Sequence, residues 1–176
     1  MTSTSVLRTS KWRPPAANGF KLNFDATIFQ DILASGFGAV IRNEAGEVMA
    51  SISTKGPAVF DSEAAKVLAC RKAVEFVVDS GFYSFIIEGD NRTVLNSIKS
   101  IVTARANYSR LGHLYEDIGC LILGLQGVSI SCMSHSANFA AHSLARYARG
   151  IEDDVVWLED IPPPAIQAVY LDAQLS

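Results

Sequence analysis

Two aspartates lie where a predicted sheet would hold carboxylates close to a ligand. Asp25 is in the middle of the segment FKLNFDATIF, whose alternating apolar and polar residues predict a strand. Asp90 follows a short apolar run, at the carboxyl end of a predicted parallel strand, where open α/β sheets bind ligands. Asp90 or its neighbour Asn91 could instead cap the next helix, and Asp25 could be a strand-edge residue. An unpaired carboxylate is costly if helices cover both faces of the sheet, so we expect Asp25 to have a partner.

The periodicity of the chain predicts the elements that position these aspartates. The first strand is followed by two apolar runs around the turn Asn43-Glu44-Ala45-Gly46, which predicts an antiparallel hairpin. The remaining predicted elements are a helix over 61–79, a strand over 83–88, a helix from about 90 to 100, a helix over 107–125, a β-rich segment over 128–134 and a helix over 138–150. The order βββαβα(α)βα predicts an α/β fold with a five-stranded mixed sheet, three antiparallel strands and then parallel ones, with helices on both faces.

Length and composition predict one domain. A chain of 176 residues that is 49% hydrophobic can bury one sizeable core but not two. We expect a flexible leader at 1–18, the folded domain at 19–150, and a Pro-rich C-terminal tail at 151–176 that packs on the domain. The tail is predicted to be an extended arm with a short helix.

Charge and cysteine content narrow the classes of function. The net charge is −3, so the chain lacks the basic surface of many nucleic-acid-binding proteins, and any such binding must be local and weak. Three cysteines without a CxxC pair favour buried thiols in a reducing compartment. Because no apolar run approaches the ~20 residues of a membrane span, we expect a soluble intracellular protein, cytoplasmic or nuclear. The Ser/Thr/Arg-rich start leaves organelle targeting as an alternative to a disordered leader.

Several ordered motifs carry a resemblance to a known superfamily. The segments KLNFDAT, SGFGAVIRNEAGEV, FIIEGDN and SANFAAHSLARYA resemble, in this order, the motifs of the ribonuclease H (RNase H) superfamily. The lead-in Trp12-Arg13-Pro14-Pro15 and the final VVWLEDIPPP look most like its plant reverse-transcriptase-like branch, an RNase H type-1-like domain. The resemblance covers roughly residues 12–165 and implies an RNase H-like fold and a retroelement-derived origin.

The resemblance also implies a chemistry. In the family, three or four carboxylates hold two Mg²⁺ ions across the scissile phosphate of the RNA strand in an RNA/DNA hybrid, and oxygen ligands suit such hard cations. Asp25 and Asp90 match the first and third positions, as catalytic and metal-binding residues. The fourth position, usually aspartate, falls on His142. Its imidazole could bind a metal or transfer a proton, or His142 could be an ordinary surface histidine.

The second position, a glutamate in the family, lies within DSEAAKVLACRKAVEF. Alignment from Lys66 places Ala69 and then Ala73-Val74 where the family has small or apolar residues, whereas alignment from Glu63 places Lys66 and Cys70 there. Helical geometry agrees, because at about 100° per residue Lys66 lies within the apolar stripe and Glu63 is offset by roughly 60°. We therefore expect Lys66 to replace the family glutamate.

A lysine on a buried face needs a partner. We hypothesise that Lys66 bridges Asp25 and Asp90, occupies part of the charge space of Mg²⁺ and opposes metal binding. In the alternative, Lys66 extends into water and Glu63 reaches into the site as a substitute ligand.

Three functions follow from the resemblance. The first is an RNase H-like domain that binds a hybrid or structured nucleic acid, with a degenerate, inactive two-metal site. The second is an active Mg-dependent endoribonuclease that cleaves RNA in RNA/DNA hybrids with Asp25, Asp90, His142 and either Glu63 or another acid. The third is a protein-interaction domain, with the Pro-rich tail or the apolar segment 118–125 contacting a partner. Nucleic acid could contact a modest basic ridge formed by Lys99, Arg105 and Arg110, although these could also be ordinary solvated charges.

Overall fold

The protein forms one mixed sheet with helices on both of its faces. Its structure, a computed structural model, describes residues 11–104 and 110–174. The strands are β1 (Phe20–Phe29), β2 (Ala34–Asn43), β3 (Val48–Gly56), β4 (Phe85–Gly89), β5 (Val128–Cys132) and β6 (Val155–Leu158). The helices are α1 (Ser62–Asp79), α2 (Arg92–Ala104), α3 (Gly112–Leu123), α4 (Phe139–Tyr147) and α5 (Ile166–Ala173).

The sheet has one more strand than the sequence predicts. Its order is β5-β4-β1-β2-β3-β6, with β1, β2 and β3 antiparallel and with β4 and β5 parallel to β1. The predicted five strands are all present. The sixth, β6, lies in the C-terminal tail and pairs with β3 in antiparallel orientation. Because β6 has only four residues between acidic segments, its periodicity is too short to predict a strand.

Local capping explains where α1, the helix that carries Lys66, begins and ends. The Asp61 side chain accepts a hydrogen bond from the Ala64 amide at the start of α1. At its end, Gly81 has a φ of +94°, and the amides of Gly81 and Phe82 donate to the carbonyls of Val78 and Val77. These two bonds form a Schellman motif, which ends α1 at Asp79, where the helix predicted over 61–79 ends.

The two faces of the sheet have separate cores. Leu22, Phe24 and Ile41 face the cluster that includes the apolar residues of α1, α2 and α3. Val40, next to Ile41 in the chain, faces Leu144 of α4 and the apolar residues of α5. Successive strand residues thus point to opposite helical layers. No helix in the described ranges has the length and apolar character needed to cross a membrane.

Glycines in β2 bring α4 unusually close to the sheet. A Cβ atom at Gly38 would overlap the carbonyl oxygen of Ala141, and one at Gly36 would overlap that of Ala145. Gly38 is also the register partner of Asp25 in β1. The absence of a side chain at Gly38 therefore lets α4 approach Asp25.

The buried Arg42 of β2 contacts one residue that precedes β1 and one residue of the last helix, α5. The Arg42 guanidinium lies 3.7 Å from the centre of the Trp12 ring and donates a hydrogen bond of 2.8 Å to Asp172 of α5. Arg42 is only 1% exposed. The leader was predicted at 1–18; residues 1–10 lie outside the described residues, and Trp12 is buried.

Candidate active site

Asp25 is a buried carboxylate in the middle of β1. The residue is 1% exposed. Its Oδ2 forms a hydrogen bond of 2.9 Å with Nδ1 of His142. Its Oδ1 accepts no hydrogen bond within the described residues, and lies 3.2 Å from the ammonium nitrogen of Lys66. Asp25 thus has the partners that its burial requires, and the contact with Lys66 is ionic.

Asp90 directly follows β4, at the edge of the sheet where Asp25 lies. Its side chain is 4% exposed. Oδ1 accepts a hydrogen bond from Lys66, and Oδ2 forms one of 2.8 Å with Nδ1 of His135. The cap of α2 is the neighbouring residue, because the Asn91 side chain accepts a hydrogen bond from the Val94 amide. Asp90 is therefore directed into the site, and the capping alternative belongs to Asn91.

Lys66 of α1 places its ammonium group between the two aspartates. Burial lowers the pKa of Lys66, but the attraction to Asp25 and Asp90 exceeds this effect and holds the pKa above its usual value. Burial alone would raise the pKa of Asp90. The hydrogen bonds with Lys66 and His135 have the larger combined effect and hold this pKa below its usual value. Lys66 and Asp90 are therefore both charged at neutral pH, and the ammonium neutralises carboxylate charge inside the site.

Glu63 is directed away from this centre. Its Oε1 accepts a hydrogen bond of 2.8 Å from the hydroxyl of Tyr115, a buried residue of α3. Burial, with a further contribution from Glu63, raises the pKa of the Tyr115 hydroxyl. Of the two candidates on α1, the structure brings Lys66 to the aspartates and pairs Glu63 with α3.

His142 reaches Asp25 because the start of α4 is fixed to β1. Asn138, which is fully buried, donates to the carbonyl oxygen of Phe24 at 2.9 Å and accepts from the Asn23 side chain at 3.2 Å. His142 lies four residues after Asn138 and next to Ala141, whose carbonyl oxygen is close to Gly38. The spacing of four residues from Asn138 to His142 thus has a geometric reason, since Asn138 fixes the start of α4 relative to β1.

His135 is the site residue that sequence reasoning missed. It begins the short 3₁₀ helix His135–Asn138 just after β5, and its ring centre lies 5.0 Å from that of His142. The available signal was topological. The parallel strands β4 and β5 end at the same edge of the sheet, so residues that follow them, Asp90 and His135, come together there.

The residues present do not fit a pair of Mg²⁺ ions. Ligand atoms of Asp25, Asp90 and His135 lie within 4.8 Å of one another, a group that could hold one cation. However, the Lys66 ammonium contacts both carboxylates, and two imidazoles contact their other oxygens. Mg²⁺ requires near-octahedral oxygen ligands, and α1 contributes an ammonium group to this centre rather than a carboxylate. This centre is therefore an internal network of charged and hydrogen-bonded side chains, which we call the Lys66 cluster (Asp25, Lys66, Asp90, His135 and His142).

The predicted basic ridge is only partly described. Lys99 is exposed on α2, whereas Arg105 lies outside the described residues. Arg110 forms an ion pair of 3.1 Å with Asp61, the residue that caps α1. The contribution of these three residues to nucleic-acid binding stays a prediction.

Comparison with known proteins gives similarity in both sequence and structure. The family model described as "Reverse transcriptase-like" matches residues 23–148. No curated protein matches the sequence significantly. RNase H1 of the halophilic archaeon Halobacterium salinarum has a similar structure, with a TM-score of 0.63 at 19% identity over 74% of this chain and 96% of that one.

Two further solved structures are similar at low identity. The N-terminal RNase H domain of a Mycobacterium tuberculosis protein has a TM-score of 0.61 at 18% identity, over 74% of this chain and 92% of that one. LC11-RNase H1, solved in complex with an RNA/DNA hybrid, has a TM-score of 0.62 at 15% identity, over 73% of this chain and 95% of that one.

These matches do not test the assignment to a plant branch or a retroelement origin, which stay predictions. The family match covers well over half of the chain, and the RNase H structures share its fold at TM-scores of 0.61 to 0.63. The chain therefore belongs to the reverse transcriptase-like family and has the RNase H-like fold.

Proposed function

We propose that this chain is an RNase H-like domain that binds RNA/DNA hybrid or structured nucleic acid without Mg-dependent cleavage. One observation carries the proposal: the Lys66 ammonium lies between the two family carboxylates, 3.2 Å from Asp25 Oδ1 and in a hydrogen bond with Asp90. A divalent cation at these oxygens would have to displace a charged lysine. Cation repulsion and the loss of two ionic contacts therefore oppose metal binding.

The fold supports the binding part of the proposal. LC11-RNase H1, which has a similar structure, was solved with an RNA/DNA hybrid. In this chain the Lys66 cluster faces the edge of the sheet where the parallel strands end, the usual ligand position in such sheets. With a net charge of −3, the chain has no general attraction for phosphates, so we expect modest affinity.

A second candidate function is a working nuclease, favoured by the group of Asp25, Asp90 and His135. Their ligand atoms are close enough to hold one cation. The Lys66 side chain is 17% exposed, so withdrawal toward solvent is sterically open to it. This candidate predicts metal-dependent cleavage by the natural chain.

Cleavage of a labelled RNA/DNA hybrid separates the two candidates. The natural protein, Lys66→Glu and Asp25→Asn are compared with Mg²⁺ or Mn²⁺. We expect no cleavage above background by the natural protein. Robust cleavage that Asp25→Asn abolishes would overturn the proposal in favour of the nuclease.

Metal binding gives a readout that does not depend on activity. Lys66→Glu restores the family carboxylate, so we expect Mg²⁺ to raise its melting temperature by several degrees while leaving the natural protein unchanged. Lys99→Glu makes the same charge change at an exposed position of α2 and serves as the matched control. An equal Mg²⁺ response in the natural protein would contradict the exclusion of metal by Lys66.

Binding is measured separately with the same hybrid. We expect a gel shift at low salt within the micromolar range typical of non-specific complexes, about 10⁻⁴–10⁻⁶ M. No shift at about 10⁻⁴ M would exclude the nucleic-acid role and leave the protein-interaction domain.

A further inference from the structure

A basic groove lies beside the Lys66 cluster. We propose that this groove, lined by Lys11, Arg13 and Lys21, binds the phosphate backbone of the nucleic-acid strand where it leaves the cluster. The inference rests on the proposed function and extends it by naming the surface that holds the strand.

The groove adjoins the Lys66 cluster because residues that line the groove are close in sequence to residues of the cluster. Its volume is about 290 Å³, and Glu88 and Ser134 line it together with the three cations. Glu88 is two residues before Asp90, and Ser134 directly precedes His135. The Met133 amide donates to the Gly89 carbonyl at 2.9 Å, which holds these two segments side by side. Two residues of extended chain span at most about 7 Å, so the groove begins within that distance of the cluster.

The groove is positive although the protein is acidic. Three cationic side chains face one carboxylate, Glu88, which leaves two positive charges in the groove of a chain whose net charge is −3. Lys21 is paired with Glu88 at 2.8 Å. Lys11 donates to a neutral carbonyl, that of Gln174, and Arg13 is exposed. Lys11 and Arg13 therefore carry the charge that can neutralise phosphates.

Trp12, the residue between Lys11 and Arg13, fixes the position of this segment. Trp12 is buried, its Nε1 donates to Asn23 Oδ1 at 3.0 Å, and the Arg42 guanidinium stacks on its ring. Pro14 follows directly and restricts the backbone. Because Trp12 is fixed, the two cations on either side lose less conformational freedom when they bind an anion. The segment also lies outside residues 23–148, which match the family.

The predicted ridge provides a direct comparison. Arg110 is paired with Asp61 at 3.1 Å, so part of its charge is already neutralised. The groove and the ridge therefore predict different effects of an identical change in charge.

The experiment compares two double variants. The groove pair is Lys11→Gln with Arg13→Gln, and the ridge pair is Lys99→Gln with Arg110→Gln. Fluorescence anisotropy measures binding of a fluorescein-labelled RNA/DNA hybrid across a KCl series. Since each phosphate contact contributes about 0.7–0.9 to the slope of log K against log salt, we expect the groove pair to lower its magnitude by about 1.5. The groove pair should weaken binding by about tenfold at low salt, and the ridge pair by less than about twofold.

A third variant separates charge from packing. The exchange Lys11→Arg with Arg13→Lys keeps both charges and should retain the natural affinity, and melting temperatures establish that all variants are folded. Natural affinity in the groove pair, or equal weakening by both pairs, would overturn the groove while leaving the proposed function intact. Failure of the natural protein to bind the hybrid would overturn both.

Discussion

The Tyr115 hydroxyl donates a hydrogen bond of 2.8 Å to Glu63, which fixes this carboxylate on the α3 side of α1. A flexible glutamate could otherwise reach the Lys66 cluster from one turn away. The hydrogen bond between Tyr115 and Glu63 therefore separates Glu63 from the Lys66 cluster.

Tyr115→Phe tests this separation. The variant releases Glu63 and should lower the free energy of unfolding by about 1–2 kcal/mol, because a hydrogen bond to a carboxylate is lost. Since Lys66 still lies between the aspartates, we expect no Mg²⁺-dependent rise in melting temperature. Such a rise in Tyr115→Phe, absent from the natural protein, would mean that a freed Glu63 can enter the site.

Lys66→Met tests the role of the ammonium in stability. The variant leaves two buried carboxylates without their cation, so we expect the free energy of unfolding to fall by about 3 kcal/mol. Urea unfolding followed by circular dichroism measures the change. Lys99→Met removes an exposed charge and should change stability by less than about 0.5 kcal/mol. Equal effects of the two substitutions would contradict the buried ionic role of Lys66.

The ion pair between Lys66 and Asp90 predicts how the stability of the protein depends on pH. The pKa of Asp90 in the folded protein is below its ordinary value of 3.8. Its ionisation therefore stabilises the protein above that pH, and the contribution is lost as the pH falls through the folded-state pKa. The pKa of Lys66 is raised above 10.5, so its contribution is lost as the pH rises beyond that value. We expect Lys66→Met to lose less stability than the natural protein between about pH 5 and about pH 2. Parallel curves for the two proteins in this acidic range would contradict the coupling.

Gly38→Ala tests the close packing of α4 on β2. A methyl group there would overlap the Ala141 carbonyl, so α4 must move away from Asp25. We expect a loss of about 1–3 kcal/mol in unfolding free energy and faster amide exchange at the start of α4. Gly150 has open space around its Cβ position, and Gly150→Ala is the matched control. Similar losses in both variants would show that backbone freedom, rather than the close approach, explains the effect.

Thiol labelling tests the burial of the α1 core. Cys70 is fully buried and burial raises the pKa of its thiol. Cys120 and Cys132 are exposed, so the expectation of buried thiols is wrong for these two. Mass spectrometry after brief iodoacetamide treatment of the native protein at pH 8 should find two modified cysteines, with Cys70 reacting only after unfolding. Early modification of Cys70 would contradict the packing of α1 against the sheet.

The sequence predicts the part of the fold whose signals are local. Alternation in β1 and helical spacing in α1 place Asp25 and Lys66 correctly, because both depend on a repeat of two or 3.6 residues. The resemblance of the ordered motifs to the RNase H superfamily then predicts how the strands are arranged in the sheet. The geometric prediction that Lys66 reaches both aspartates agrees with the distances, whereas its effect on activity stays a prediction.

Contacts between distant segments could not be predicted in the same way. Trp12 and Asp172 both contact Arg42 although they are 160 residues apart in the sequence. Neither residue belongs to a periodic pattern that could predict this contact. His135 carries no motif of its own. Its position follows only from the parallel pairing of β4 and β5, which is a property of the assembled sheet.

The added strand β6 covers residues 50–53 on the outer edge of β3, where another molecule could otherwise pair. Without it, β3 would be an open edge with unpaired backbone groups along Val48–Gly56. The new edge is only four residues long, and acidic residues lie on both sides of it, among them Asp154 and Glu159. Like charges at a short edge disfavour pairing between molecules. A domain cut after residue 150 would lose this cover and expose the longer strand β3, whose single charged residue is Lys55, to neighbouring molecules.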